Sequence, residues 1–197
     1  MVSTKAIVCP LSWGLGHAAR CIPIVEALLE NRVEVVIAGN GASGKLLQDH
    51  FPELIFVQTP FHEIRLHKFI PAWLSVIVQL PLLVDDFFKE RQFARKIIKE
   101  YQADIIIADN RYGLRSSKVT SILVTHQLHL MLPLLLKPFE PMVALLVRAL
   151  ISPFSQTWVP DFPGEGNLSG SLSHGWLVAG KNVVYVGPLS RFKAQLP

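Results

Sequence analysis

The chain has 197 residues and a net charge of +4, and 50% of it is hydrophobic while only 17% is charged. Soluble domains average about 25% charged residues, so the chain must bury a large apolar fraction or show apolar surface to something. Its length fills one domain. Its two cysteines, Cys9 and Cys21, form no C-x-x-C pair, which argues against a zinc or redox motif and for a reducing compartment.

In chain order, residues 6–9 (Ala6, Ile7, Val8, Cys9) read as a buried strand. A loop from Pro10 to Gly16 follows, and a helix opens at His17 with apolar residues at Ile22, Val25, Leu28 and Leu29 along one face. The positively charged Lys5 leads directly into a short strand and a polar loop, so no signal peptide is expected. Residues 33–38 form a second strand ended by Gly39, Asn40 and Gly41, residues 42–50 a short helix closed by Pro52, and residues 54–57 a third strand. This alternation predicts an α/β fold with a doubly wound parallel, Rossmann-like sheet.

Residues 59–68 read as a loop carrying His62, Glu63, Arg65 and His67. Residues 73–101 read as a long helix bent at Pro81, with an apolar stripe at Phe87, Phe93, Ile97 and Ile98. Asp85 and Asp86 fit its solvated face. Residues 105–108 are continuously apolar and read as a strand buried on both sides, ending in the polar loop Asp109, Asn110, Arg111, Tyr112, Gly113. Further strands are expected at 122–125, 157–159 and 183–186, with a long glycine- and serine-rich loop over 164–180. The apolar stretches 69–84 and 128–151 are interrupted by prolines and charges, so they read as buried or interfacial helices, not spans, and leave room for a peripheral membrane contact.

The first strand, glycine loop and helix make an anion site, because the first helical N–H groups lack internal partners and the helix dipole favours negative charge there. Gly14, Gly16 and Ala19 fit a dinucleotide fingerprint, but Pro10 to Trp13 intervene after the strand and no acidic residue ends the second strand. The glycines alone also fit a tight turn. His17, on the rim, is either an exposed helix-terminal residue or a general base. Asp109 is either a polar strand end or its partner, since the carboxyl ends of the first and fourth strands share one edge. His17 and Cys21 lie one turn apart, but no third and fourth ligands are evident and no metal is expected. His126 and His129 read as polar groups ending a strand, and Trp158 and Trp176 as core.

The run from Trp13 to Arg20, the loop from Asp109 to Gly113 and the segment Val124, Thr125, His126, Gln127, Leu128 together resemble the N-terminal half of a bacterial GT-B glycosyltransferase. The similarity is to MurG-like, UDP-sugar-dependent enzymes. The resemblance implies an acceptor-binding domain over 1–187 and, over 188–197, the start of a linker to a donor-binding C-terminal domain on the same or a partner chain. It implies an inverting transfer from a nucleotide-sugar co-substrate to an acceptor hydroxyl. His17 is then the catalytic base. Asp109 matches the orienting acid of plant-type relatives. Gly14, Leu15, Gly16, Asn110, Arg111 and His126 are the implied substrate contacts, with the glycines facing the donor phosphates. No other cofactor and no nucleic acid is expected. A lipid-linked acceptor and a cytoplasmic location, peripheral on the inner membrane face, complete what the resemblance implies. A nucleotide-sugar epimerase of the same fold, or a non-catalytic membrane-associated lobe, is the competing expectation.

Overall fold

Short runs of valine, isoleucine and alanine make the strands, and helices connect most of them in a way that forces parallel pairing. The computed structural model describes residues 3–62, 74, 78–174 and 182–190. The elements are β1 (Lys5–Cys9), α1 (Leu15–Glu30), β2 (Glu34–Gly39), α2 (Gly41–His50), β3 (Ile55–Gln58), α3 (Leu80–Tyr101), β4 (Ile105–Asp109), β5 (Thr120–Val124), α4 (Glu140–Ile151), β6 (Gln156–Val159) and β7 (Val183–Tyr185). The strands form one seven-stranded sheet in the order β3-β2-β1-β4-β5-β6-β7, parallel throughout. The order reverses between β1 and β4, where Ile7 sits opposite Ile106 and Cys9 opposite Ala108. An open parallel sheet splays into a crevice at such a switch point, beyond the carboxyl ends of the strands.

Each face of the sheet carries its own core. Ala18, Cys21, Ile22 and Val25 of α1 and Leu47 of α2 pack on Val8, Ile37 and Ile107. On the other face, Ala94 and Ile97 of α3 join Ile7, Cys9, Ile106 and Leu123. The two cysteines are free and buried on opposite faces. After β7 the chain continues through Pro188, and Leu189 packs against the α1 side.

Several expectations need correction. Helix α1 opens at Leu15, two residues before His17, because Gly14, at φ +74°, turns the chain into it. Pro81 does not bend α3; it stands in the helix's first turn, where its missing N–H has no internal acceptor to lose. The apolar stretch after β5 is not one helix but a loop, a 3-10 turn over Leu134–Phe139 and then α4. Asp86 is not solvated: it is only 6% exposed. Of the expected helical start over 73–79, residues 73 and 75–77 fall outside the described residues, as do Glu63, Arg65, His67, Trp176 and the tail from 191. Among the described residues no helix is long and apolar enough to cross a membrane.

A buried ion pair ties α3 to the sheet edge. Glu90 accepts from Arg111 Nη1 at 3.0 Å and from the Gly113 backbone N–H at 2.8 Å. Gly113 has to be glycine here, since a Cβ would run into the Phe87 carbonyl oxygen and the Glu90 side chain. Gly113→Ala is expected to destabilise the protein by about 3 kcal/mol, the upper range for overpacking. Gly16→Ala, whose Cβ would meet nothing within 4 Å, should instead be neutral or gain about 0.5–1 kcal/mol. Urea denaturation of the two variants side by side checks the contrast.

Candidate functional site at the carboxyl edge

The loop after β1 and the tip of β4 meet at the crevice. Asp109 ends β4 with its side chain fully buried. A carboxylate cannot be left alone there, because an unpaired buried charge is several kcal/mol unfavourable. It is met by α1. Arg20 Nε donates to Asp109 Oδ2 at 2.9 Å, and Arg20 Nη2 donates to Oδ1, a fork-on-fork pair. His17 Nδ1 lies 3.0 Å from Oδ2. The Cys21 thiol reaches the same oxygen at 3.9 Å. His17, Arg20 and Cys21 are spaced to share one face of α1, and that face looks at β4.

Arg20 was not among the residues picked from the sequence. Its signal was available: it stands three residues after His17 on a helix whose first turn was already suspect. Its consequence is chemical. Arg20 Nη2 also lies 2.6 Å from His17 Nδ1. Arginine only donates and carboxylate only accepts. His17 therefore has two hydrogen-bonding arrangements, Nδ1–H donated to Asp109 or Nδ1 accepting from Arg20. The first leaves a lone pair on Nε2, as a base requires. The side chain of His17 is 15% exposed, so the ring reaches solvent and is not in the core.

His126, after β5, accepts from Arg20 Nη1 at 3.2 Å through Nδ1. Burial, the Arg20 cation and His17 lower its pKa, so it stands here as a neutral ring. Gly16, Arg20 and His126 line one side of a cleft of about 400 Å³ whose other side is built by Asp161, Leu168, Ser169 and Leu172. Leu15 is exposed beside it.

Arg111 requires a correction. Expected as a substrate contact, it is instead 2% exposed. Its Nε donates to the Pro10 carbonyl, Nη1 to Glu90 and Nη2 to Ser12 Oγ, and its guanidinium lies 4.4 Å from the centre of the Phe61 ring. Its Nε and Nη2 donors hold the β1 loop in place, and Nη1 ties it to α3. Asn110 takes the left-handed conformation, φ +50°, and its N–H donates to the Val124 carbonyl, so it turns the chain away from β4. The Asn110 Oδ1 and Trp13 Nε1 atoms are buried without a hydrogen-bond partner among the described residues. Gly14 is held by Ser43 Oγ, which donates to its carbonyl at 2.7 Å.

Asp161 is the second residue the sequence did not single out. It follows β6, is fully buried, and gathers the loop 162–174 around itself. The N–H groups of Phe162, Leu168 and Ser169 donate to it at 2.7, 2.8 and 2.9 Å, and the Ser169 hydroxyl also donates. Burial opposes its ionisation, but these donors outweigh burial and hold its pKa well below the usual carboxylate range.

No family model and no curated protein matches the sequence. Solved structures do match the fold. The chain is similar to Phytolacca americana UGT2 complexed with UDP-2fluoro-glucose and pterostilbene, with TM-score 0.60 and 14% identity over 96% of this chain and 55% of that one. It is similar to the glycotransferase of kitacinnamycin, with TM-score 0.59 and 15% identity over 98% of this chain and 53% of that one. It is also similar to a putative UDP-N-acetylglucosamine 2-epimerase from Listeria monocytogenes, with TM-score 0.52 and 11% identity over 81% of this chain and 39% of that one. The chain thus spans about half the length of the glycosyltransferases it matches, or less in the epimerase case. The fold is that of an N-terminal GT-B domain.

Asp161→Asn is expected to destabilise the protein by about 2 kcal/mol at pH 7, since it weakens charge-assisted hydrogen bonds. The folded pKa is depressed, so the stabilisation is full above the unfolded value near 4 and fades as pH falls toward the lower folded value. Denaturant melts of both proteins from pH 7 to pH 3 should show the gap begin to close below about pH 4.

Proposed function

We propose that this chain is the acceptor-side lobe of an inverting glycosyltransferase that takes its sugar from a nucleotide-sugar, with a UDP-sugar as the favoured donor. The observation that carries the reading is His17 beside a buried Asp109 at the crevice where the strand order reverses. In the proposed step the acceptor hydroxyl oxygen attacks the anomeric carbon. Its proton passes to His17 Nε2. The bond between that carbon and the nucleotide diphosphate breaks, and its electron pair leaves on the diphosphate. Asp109 accepts from His17 Nδ1–H, fixes the tautomer and stabilises the imidazolium that forms. Gly14, Leu15 and Gly16, at the uncapped opening of α1, suit the donor's phosphates. Asn110, which follows Asp109 in the chain, and His126, which is bonded to Arg20, are assigned to the substrate, whereas Arg111 supports the loop. A donor-binding lobe, from the same or a partner chain, supplies the grip on the leaving nucleotide, and this chain alone is expected to be inactive.

The acceptor reading extends to a lipid-linked molecule at a cytoplasmic membrane face, as in MurG-like enzymes. Its support is a set of exposed apolar side chains on the 3-10 turn and on α4: Leu134 at 86%, Met142 at 63%, Leu145 at 66% and Leu146 at 60%. Lys137 and Arg148 stand among them and suit anionic headgroups. The rival reading is half of a nucleotide-sugar epimerase, favoured by the likeness to the Listeria structure.

Two experiments test these readings. The chain is combined with a donor-binding GT-B lobe and given a UDP-sugar and a panel of hydroxyl acceptors, with products read by mass spectrometry. His17→Ala should lose about 10²–10⁴-fold in transfer, the range for a general base. Undiminished transfer by that variant overturns the mechanism, and an altered sugar formed without any acceptor establishes the epimerase. Separately, the chain should float with phosphatidylglycerol vesicles, and Leu134→Asp with Leu145→Asp should abolish flotation. Equal recovery of variant and parent with the vesicles removes the membrane element.

A further inference from the structure

The carboxyl edge carries a second histidine bonded to a buried carboxylate. His62 follows β3, the strand two places from β1. Its Nδ1 lies 2.7 Å from Asp86 Oδ1, and its backbone N–H donates to both Asp86 oxygens at 3.1 Å. Asp86 stands on α3 and is nearly buried. A carboxylate so placed takes the Nδ1 proton, which leaves the lone pair on Nε2. The His62 side chain is 36% exposed.

This pair belongs to the same rim as His17. Phe61, the residue before His62, gives its carbonyl to Asn40 Nδ2 at 2.8 Å. Asn40 accepts from Ser12 Oγ, and Ser12 accepts from Arg111. The β1 loop and His62 are therefore held in one hydrogen-bonded strip. The carboxyl ends of β1 and β3 are two strand spacings apart, about 10 Å.

The surroundings select the ligand. Asp85 Oδ2 lies 3.7 Å from His62 Nδ1, and its half-exposed carboxylate pairs with Lys89 at 2.7 Å. Among the described residues two carboxylates, Asp85 and Asp86, stand here against one lysine, which disfavours a phosphate. Phe88 is 60% exposed. Asp85, Phe88 and Lys89 stand at i, i+3 and i+4, one face of α3. Hydroxyl-accepting groups beside an exposed aromatic ring match the chemistry of a neutral sugar, whose hydroxyls donate and whose C–H face packs on a ring. His62, Asp85 and Asp86 also have ligand atoms grouped closely enough for a metal ion. However, with its Nδ1–H donated to Asp86, His62 offers that cluster no lone pair at the ring atom nearest the carboxylates.

We propose that His62, Asp85 and Phe88 form a carbohydrate subsite on the acceptor lobe, so that the acceptor carries a sugar residue in addition to the hydroxyl that reacts. Nε2 of His62 and the Asp85 carboxylate receive the sugar's hydroxyls, and Asp86 positions the ring. The proposal rests on the acceptor-lobe reading and narrows its acceptor to a glycosylated one.

The test is an NMR titration of the whole chain with methyl β-D-glucopyranoside and, in parallel, inorganic phosphate. The His62 ring signal is identified by its absence in His62→Asn. The glucoside should shift that signal saturably at roughly millimolar concentration, and phosphate should leave it unmoved. Phe88→Ala and Asp85→Ala, both changes at exposed or half-exposed positions, should each weaken the response about threefold or more without altering the melting temperature by more than a few degrees. A His62 signal unmoved by the glucoside overturns the subsite. So does a response that both variants retain in full, which would leave the His62–Asp86 pair as a clip between β3 and α3. Transfer that depends on His17 together with a silent His62 overturns this inference alone, whereas His17-independent transfer overturns the mechanism on its own terms.

Discussion

The structure turns on one buried negative charge. Asp109 sits at the end of a strand whose other residues, Ile105 to Ala108, are apolar, and it is excluded from water. A carboxylate in that position is tolerated only where the fold brings donors to it. The α1 helix does so with Arg20, His17 and Cys21. The same contacts fix the orientation of α1 on the sheet and place an imidazole at the mouth of the crevice. Stability and chemistry are therefore coupled there: the ring is positioned because the charge must be paired.

The other acidic residues near this edge follow the same rule with different outcomes. Glu90 is neutralised by Arg111 and a backbone N–H, deep beneath the β1 loop, and its pKa is pushed up by burial despite the Arg111 cation. Asp161 pairs with no lysine or arginine among the described residues; backbone N–H groups and serine hydroxyls hold it ionised, and His174 Nε2 lies 3.4 Å from its Oδ2. Asp86 is held by a histidine and that residue's own N–H. Each carboxylate anchors one segment beyond the carboxyl ends of the strands: the β1 loop, the 162–174 loop and the chain after β3.

The sheet was legible in the sequence because its strands are continuous apolar runs bounded by glycine, proline and polar residues. Each predicted strand is present within one or two residues of its expected ends. The resemblance was legible for a related reason, since Gly14, Gly16 and His17 lie within one short window. What was not legible depends on pairing across the fold. Arg111 reads as a ligand-facing loop cation until α3 is seen to bring Glu90 to it from 21 residues away. Asp86 reads as a solvated helical residue until β3 ends against it. Arg20 and Asp161 gain their meaning from partners that no local pattern contains. Pro81 looked like a bend because a proline inside an apolar run is ambiguous between kink and helix start, and only the chain path resolves it.

The composition that seemed excessive for a soluble domain divides into two parts. One part is the paired cores on the two faces of the sheet, where the strands are buried on both sides and consume valine, isoleucine and alanine. The other part is surface. Leu80, Val84 and Phe88 on α3, and Met142, Leu145 and Leu146 on α4, are exposed. Both helices belong to the same layer, since Ala94 and Ile97 of α3 and Ile151 of α4 pack in one core. The opposite layer differs: α1 and α2 show few large apolar side chains to solvent, Leu15 being the exception at the cleft. A monomer that had to remain dispersed would gain nothing from such asymmetry. The proposed lipid-linked acceptor would account for the asymmetry, its apolar part against the α3–α4 layer and its polar part at the carboxyl edge.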